Sequence, residues 1–207
     1  YIVGADIPQL GSSSGVGTGQ HFVAEACEYD RSFLNLHPHI AVILNIEQDH
    51  LDYYKDVDDI IDAFSQFAGQ IRNNGVLIAR SVDFNNSRIL IEGAAVVVFE
   101  DCTFSGGVKI SGARTVQIYE SQIDGEIIVE NVRELLVHLS ELSGTKLTYS
   151  NLGSALLSRS TFSSQSLEVK DSRVEVVGSV FESGDIEINK TSRLSLTGGS
   201  LTDTKIK

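Results

Sequence analysis

Methionine and tryptophan are absent from this 207-residue chain, proline and cysteine occur only twice each, and basic residues are scarce. Each shortage excludes something. Sixteen Lys and Arg against 28 Asp and Glu leave a net charge of −12. A surface of that sign opposes nucleic-acid phosphates and anionic membranes as partners, since both need basic patches. Divalent cations stay open. No apolar run approaches the ~20 residues of a membrane span. No basic stretch leads into an apolar one at the start, so no signal peptide is expected and the chain reads as cytoplasmic. With no Met at its head, its natural start is expected upstream. Cys27 and Cys102 lie far apart in unlike contexts, which favours two free thiols in a reducing compartment over a disulfide. Two prolines against 18 glycines imply many tight turns with few rigid stops.

What is present divides at about residue 77. Residues 1–76 read as α/β. "HFVAEA" is a short apolar strand, and "HIAVILNI" is a continuous apolar run suited to a strand buried on both faces. Val57, Ile60, Ile61, Phe64, Phe67, Ala68 and Ile71 then recur at helical spacing. Asp56, Asp58 and Asp59 at the head of that stripe and Arg72 at its end suit the helix dipole, and "NNG" at 73–75 is a stop. "VLIA" follows as a strand. Strand, helix, strand predicts a parallel sheet with a crossover helix.

Residues 77–207 repeat. Units starting at Val97, Val116, Leu135, Ala155, Val174 and Leu194 are 19 or 20 residues apart. Two residues on, the column reads Phe99, Ile118, Val137, Leu157, Val176, Leu196. Seven on, it reads Phe104, Ile123, Leu142, Phe162, Phe181, Leu201. Five on stand small side chains: Cys102, Ser121, Ser140, Ser160, Ser179, Gly199. A second strand follows in each unit, and an earlier coil fits with Leu77, Ala79, Phe84, Ile89 and Ile91. A period near 20 with alternating apolar positions and short Gly/Ser/Asn turns predicts an all-β, right-handed parallel β-helix whose inward ladders are its core. A leucine-rich repeat is disfavoured, because the units lack its pattern and have no room for a helix. The last coil has no visible cap, so self-association through that end is a candidate. Asp101 and Glu120, stacked on neighbouring coils, are the best candidates for an acid pair, and solvated turn residues are the plainer reading.

The first half carries the chemistry. His50 follows the apolar run and is bracketed by Asp49 and Asp52 in "NIEQDHLDYY". Together with "AEACEYDRSFL" upstream, this stretch resembles the central, ATP-binding domain of the Mur ligases, over residues 1 to about 79. The nearest type is the one that joins L-alanine to UDP-N-acetylmuramate. Such enzymes phosphorylate a carboxylate with ATP and let an amine attack the acyl phosphate, with a divalent metal neutralising phosphate charge. The resemblance implies that Glu25 and His50 are Mg²⁺ ligands. It places Glu28, Asp30 and Ser32 in the loop facing a UDP-N-acetylmuramate-type substrate, and Asn45 beside the nucleotide. Cys27, expected as a free and partly buried thiol, stands where the family usually has Asp, and Gly15 where it often has a basic residue. The family's phosphate loop, a Gly-rich turn ending in Lys-Thr, is expected before residue 1; "GSSSGVGTG" at 11–19 has no Lys. The expectation is therefore a fragment or descendant of such a ligase, inactive alone. The alternative is a non-enzymatic β-helix scaffold or carbohydrate-binding module with an α/β cap at its N-terminal end.

Overall fold

Alternating apolar residues on a coil of 19–20 positions can bury one face only by stacking coil on coil, and the chain does this. A computed structural model describes residues 1–144, 146–163 and 166–207. A two-stranded antiparallel ribbon, β1 (Ile2–Ile7) and β2 (Ser12–Ser14), opens the chain. A short 3₁₀ segment, Tyr29–Asn35, leads to β3 (Ile40–Ile43), α1 (Val57–Gly69) and β4 (Val76–Arg80). Beyond β4, β5 (Ile89–Glu92) and β6 (Val96–Glu100) begin a parallel solenoid that runs to β-strand Arg193–Ile206.

The columns read from the sequence are the register of the sheet. Val97 pairs with Val116, Val116 with Leu135, Leu135 with Ala155, Ala155 with Val174 and Val174 with Leu194. The Phe99 and Phe104 columns stack in the same way. Ring stacking adds to the second column, with Phe84 on Phe104 at 4.9 Å and Phe162 on Phe181 at 4.8 Å between centroids. The small-residue column is a hydrogen-bond ladder. The amide of Cys102 donates to Ser121 Oγ at 3.1 Å, and the same bond recurs from Ser121 to Ser140, Ser140 to Ser160 and Ser160 to Ser179. These buried hydroxyls sit where the corner leaves an amide without a strand partner. At that corner Ser81, Asp101, Glu120, Leu139 and Arg159 share left-handed φ values near +50°, between 47° and 54°. Asp101 and Glu120 thus fill a turn position that Leu and Arg also fill, and Asp101 accepts from Ser81 Oγ at 2.9 Å. At another corner the backbones come so close that a Cβ on Gly144 would lie 1.6 Å from Gly125 O.

The α/β part joins the solenoid through a shared strand. β4 pairs in parallel with β3 on one side (Ile40 with Val76, Ile43 with Ala79) and with β6 on the other. Ala41 and Ile43 therefore extend the inward columns one rung before Leu77 and Ala79. Helix α1 starts at Asp56, whose side chain accepts from the Asp59 amide at 3.0 Å, a bond that holds the Asp56 carboxyl below its usual pKa. It buries Ile60, Ile61, Ala63, Phe67 and Ala68. Side-chain bonds from Asn85 to Asp58 and from Ser87 to Asp62 tie its outer face to the next coil. Three sequence expectations are corrected here. "HIAVILNI" is covered on one face only, and Ile40, Val42 and Leu44 are exposed, because no second layer lies over β3 among the described residues. "HFVAEA" forms no strand and is joined to β1 by one isolated bridge, Ala24 to Ile2. Cys27, expected to be partly buried, is exposed; both thiols are free. The inward columns end on Leu196, Leu201 and Ile206, which are 41%, 41% and 51% exposed.

Candidate functional site

The site is built from two loops that lock together at the C-terminal end of β3. The first holds Glu28–Phe33. Its backbone turns through left-handed φ at Asp30 and Arg31 (54° and 53°), and Phe33 is buried against Phe64 and Phe67 of α1. The second runs from β3 to α1 and carries His50, also at a left-handed φ of 54°. The His50 carbonyl accepts from the amides of Tyr53 and Tyr54, both at 2.9 Å, which closes a turn. Tyr54 is buried and its hydroxyl donates to the carbonyl of Glu28. Tyr29 Oη donates to Asp52 Oδ2 at 3.2 Å, and that carboxylate holds the phenol's pKa above its usual value. Arg31 pairs with Asp59 at 2.5 Å and lies 5.5 Å above the Tyr54 ring. The two motif segments quoted from the sequence are thus in direct contact, Glu28 with Tyr54, Tyr29 with Asp52 and Arg31 with the Tyr54 ring.

Within this clasp His50 Nε2 lies 3.3 Å from Glu28 Oε1 and 3.8 Å from Asp49 Oδ2. The Tyr29 ring packs edge-on against the imidazole at 5.0 Å. Asp49 Oδ1 accepts the His50 amide at 2.6 Å, which turns its other oxygen toward the ring. Ligand atoms of Glu28, Asp49 and His50 all fall within 4.8 Å of one another. Glu25 has another partner. Its Oε2 accepts from the Gly4 amide of β1 at 2.6 Å. Asp30 and Ser32 are exposed on the first loop, and Asn45 is exposed with its amide on Glu47 Oε1 at 2.8 Å. Asp49 was visible in the sequence as the neighbour of His50, but nothing in spacing alone ranked it above Glu25 as a partner. The roles of Tyr29 and Tyr54 carried no sequence signal beyond being aromatic.

The Gly-rich run 11–19 lies against the start of the chain. Gly15 is packed under Tyr1, whose N-terminus donates to the Gly15 carbonyl at 2.7 Å. No helix follows the run, so no helix N-terminus faces a phosphate there. An open groove of about 1380 Å³ lies between residues 20–26 and β3, lined by Phe22, Glu25, Ile40, Val42, Leu44 and Asn45 among others. It touches the clasp at Glu28 and Asp49.

Open α/β sheets place ligands at the ends of parallel strands, and the carboxylates and imidazole gathered here lie at such an end. The Mur ligase middle domain matches residues 7–189, and the chain belongs to that family. The match extends through most of the solenoid. Among curated relatives, the UDP-N-acetylmuramate–L-alanine ligase of Clostridium botulinum (strain Eklund 17B / Type B) is 46% identical over 91 residues, 44% of this chain and 20% of the relative. The ligase of the same name from Caldicellulosiruptor saccharolyticus is 50% identical over 84 residues, 41% of this chain and 18% of its own length. That from Acetivibrio thermocellus is 46% identical over 88 residues, 42% and 19%. The chain thus spans about a fifth of the length of these relatives. No solved structure matches. No helix among the described residues is long and apolar enough to cross a membrane.

Proposed function

We propose that the chain is a relative of the muramate–alanine ligases that keeps the cation-holding and substrate-facing loops of that family and does not ligate by itself. The observation that supports this is the clasp of Glu28–Phe33 on the loop carrying His50, at the end of a parallel strand. His50 and a nearby carboxylate are its cation ligands, Glu25 being the one the family resemblance names. A divalent ion held there supplies charge neutralisation for phosphate oxygens. Glu28, Asp30 and Ser32 are assigned to the side facing a UDP-N-acetylmuramate-type ligand, and Asn45 to the nucleotide side. Run 11–19 does not fit the ATP phosphates, because it lacks both a Lys and a helix directly after it. No step is derived through the nucleotide. Incubation with ATP, UDP-N-acetylmuramate, L-alanine and Mg²⁺ is expected to release no phosphate above a protein-free blank. Release that depends on all three substrates overturns the reading of inactivity.

A second reading has its own support. β3 continues the inward columns, and α1 lies against the first coils, so the α/β part also serves as an end cap for a solenoid scaffold. The two readings are compatible, since the cap function uses the buried faces of β3 and α1 and leaves the clasp at the strand end free.

A further inference from the structure

We infer that copies of this chain stack head to tail, the last strand of one copy pairing in parallel with the free edge of β3 of the next. This does not rest on the ligase reading, since it concerns the hydrogen-bonding edge of β3 and not the loop beyond it. β3 and the last strand, Arg193–Ile206, are the two ends of one column of parallel strands. Ala41 is in register with Leu77 and Leu77 with Val97, and the column runs on to Val174 and Leu194. Among the described residues β3 pairs with β4 alone, and the last strand with the strand Arg173–Ile188 alone. Each therefore has one unpaired edge.

The two free edges match in hydrogen bonding. The Val76 amide donates to the His39 carbonyl at 2.7 Å, so in this register the amides of Ile40 and Val42 point away from β4. The Arg193 amide donates to the Ser172 carbonyl at 2.9 Å, so the amides of Leu194 and Leu196 point away from the strand before them. Setting Arg193 opposite Ile40 of the next copy repeats the register of every rung between them. Each of those free amides then meets a free carbonyl. The same register lays Leu194 and Leu196 over Ala41 and Ile43 of the next copy. The inward columns, which stop at Leu196 with 41% of it exposed, continue without a break. There is room for the strand. An open groove of about 1380 Å³ runs along β3, and its far wall, residues 20–26, bonds to β1 and not to β3.

Charge selects the occupant. Residues 1–76 hold 11 Asp and Glu against three Lys and Arg. Glu25, Glu28, Glu47 and Asp49 line the groove, with Arg72 its one Lys or Arg. The last coil, 189–207, reverses the sign, with Lys190, Arg193, Lys205 and Lys207 against Asp203 alone. Two such coils face to face repel, whereas a last coil set on a first half attracts. A contact between unlike faces that repeats along the solenoid axis does not close on itself, so it builds an open filament.

The test is sedimentation velocity on the 207-residue chain over a series of concentrations. Mass is expected to climb past the dimer without a plateau. Raising the salt to ~1 M, where screening acts over ~3 Å, is expected to weaken assembly about tenfold. Two variants block one end each. Leu196→Lys puts an ammonium at the exposed end of an inward column, and Val42→Pro removes a donor from the free edge of β3 while leaving its bonds to β4. Each alone is expected to stay monomeric, and an equal mixture to form dimers and stop, because one intact head then meets one intact tail. Arg193→Glu, at an exposed position, is expected to weaken assembly of the otherwise unmodified chain about tenfold. Far-UV circular dichroism verifies that each variant is folded. A monomer at every concentration overturns the inference, and so does assembly that salt and Arg193→Glu leave unchanged. Dimers of Val42→Pro alone overturn it in favour of last strand on last strand, and folded variants that stay monomeric when mixed overturn it outright. None of these results bears on phosphate release, so the ligase reading stands or falls separately.

Discussion

Replacing Tyr149 with Phe is expected to stabilise the protein. Tyr149 stands in an otherwise aliphatic inward column, paired in register with Val129 on one coil and Val169 on the next. It is 1% exposed, and its hydroxyl finds no hydrogen-bond partner among the described residues. Burial without a partner pushes the phenol's pKa well above its usual value, the same desolvation seen from the side of the proton. In the unfolded chain that hydroxyl is hydrated. Moving it to a site with no partner costs about 1–3 kcal/mol on mutational scales. Removing it leaves a void of one oxygen, and at ~24 cal/mol per Å³ a gap of roughly 10 Å³ takes back only about 0.2 kcal/mol. The net expectation is a gain of about 1–2 kcal/mol, read as a higher urea midpoint with an unchanged slope. A loss of more than ~0.5 kcal/mol in Tyr149→Phe would refute the reasoning, since it would mean that the hydroxyl has a partner, for instance a buried water.

Two further expectations follow from named groups. Cys102 is buried, its thiol donates toward the carbonyls of Glu100 and Ala79, and burial raises its pKa, whereas Cys27 is exposed. A disulfide-exchange reagent should therefore titrate one thiol in the native protein and two in denaturant; two fast thiols in the native state would contradict the placement of Cys102. Glu168, with 15% of its side chain exposed, bridges Lys146 at 2.8 Å and Lys170 at 2.7 Å, and bonds from Lys146 first and Lys170 next depress its pKa. A depressed carboxyl adds stability above its unfolded pKa, near 4.3, and loses it as pH falls through the folded value. Glu168→Gln should cost at most ~1 kcal/mol at pH 7, because both lysines are solvated, and the gap to the parent should close as the pH falls through the depressed folded value. A gap that widens in acid would reverse the sign of the argument.

The solenoid was legible because each inward column must be apolar at every rung, so Phe99, Ile118, Val137, Leu157 and their fellows reveal both the period and the register. Helix α1 was legible for the related reason that one face of a 3.6-residue repeat must be buried. The fate of β3 was not. Ile40, Val42 and Leu44 are outward-facing here, but an apolar run cannot say which of its faces lacks a cover. The carboxylates gathered around His50 were equally hidden. Sequence offered Glu25, Glu28, Asp49 and Asp52 within reach of one histidine. The choice among them is made by the left-handed turn at Asp30 and Arg31, by the Tyr54 hydroxyl on the Glu28 carbonyl, and by the Gly4 amide on Glu25. The last two are contacts between segments, and spacing along the chain encodes none of the three.

The join between the two architectures needs no special device, because both are parallel sheets with the same spacing between strands. They differ in the connection. From β3 to β4 the chain crosses over through a helix, and from β6 onward it turns corners of a few residues. β4 satisfies both requirements at once: Leu77 and Ala79 are fully buried, facing the columns of Ala41 and Ile43 on one side and of Val97 and Phe99 on the other. One consequence is that the clasp at His50 is not hung on a loop alone. It begins at the end of a strand whose inward side chains are rungs of the solenoid core, and it ends at a helix bonded to the next coil through Asp58 and Asp62. Loosening those rungs should therefore be felt at the clasp, as should any ion bound there be felt in the rungs. This coupling also gives a physical reason for a ligase-type strand end to persist on a coil: the same buried face that positions His50 closes the open end of the solenoid, so it is retained by packing whether or not the chemistry is.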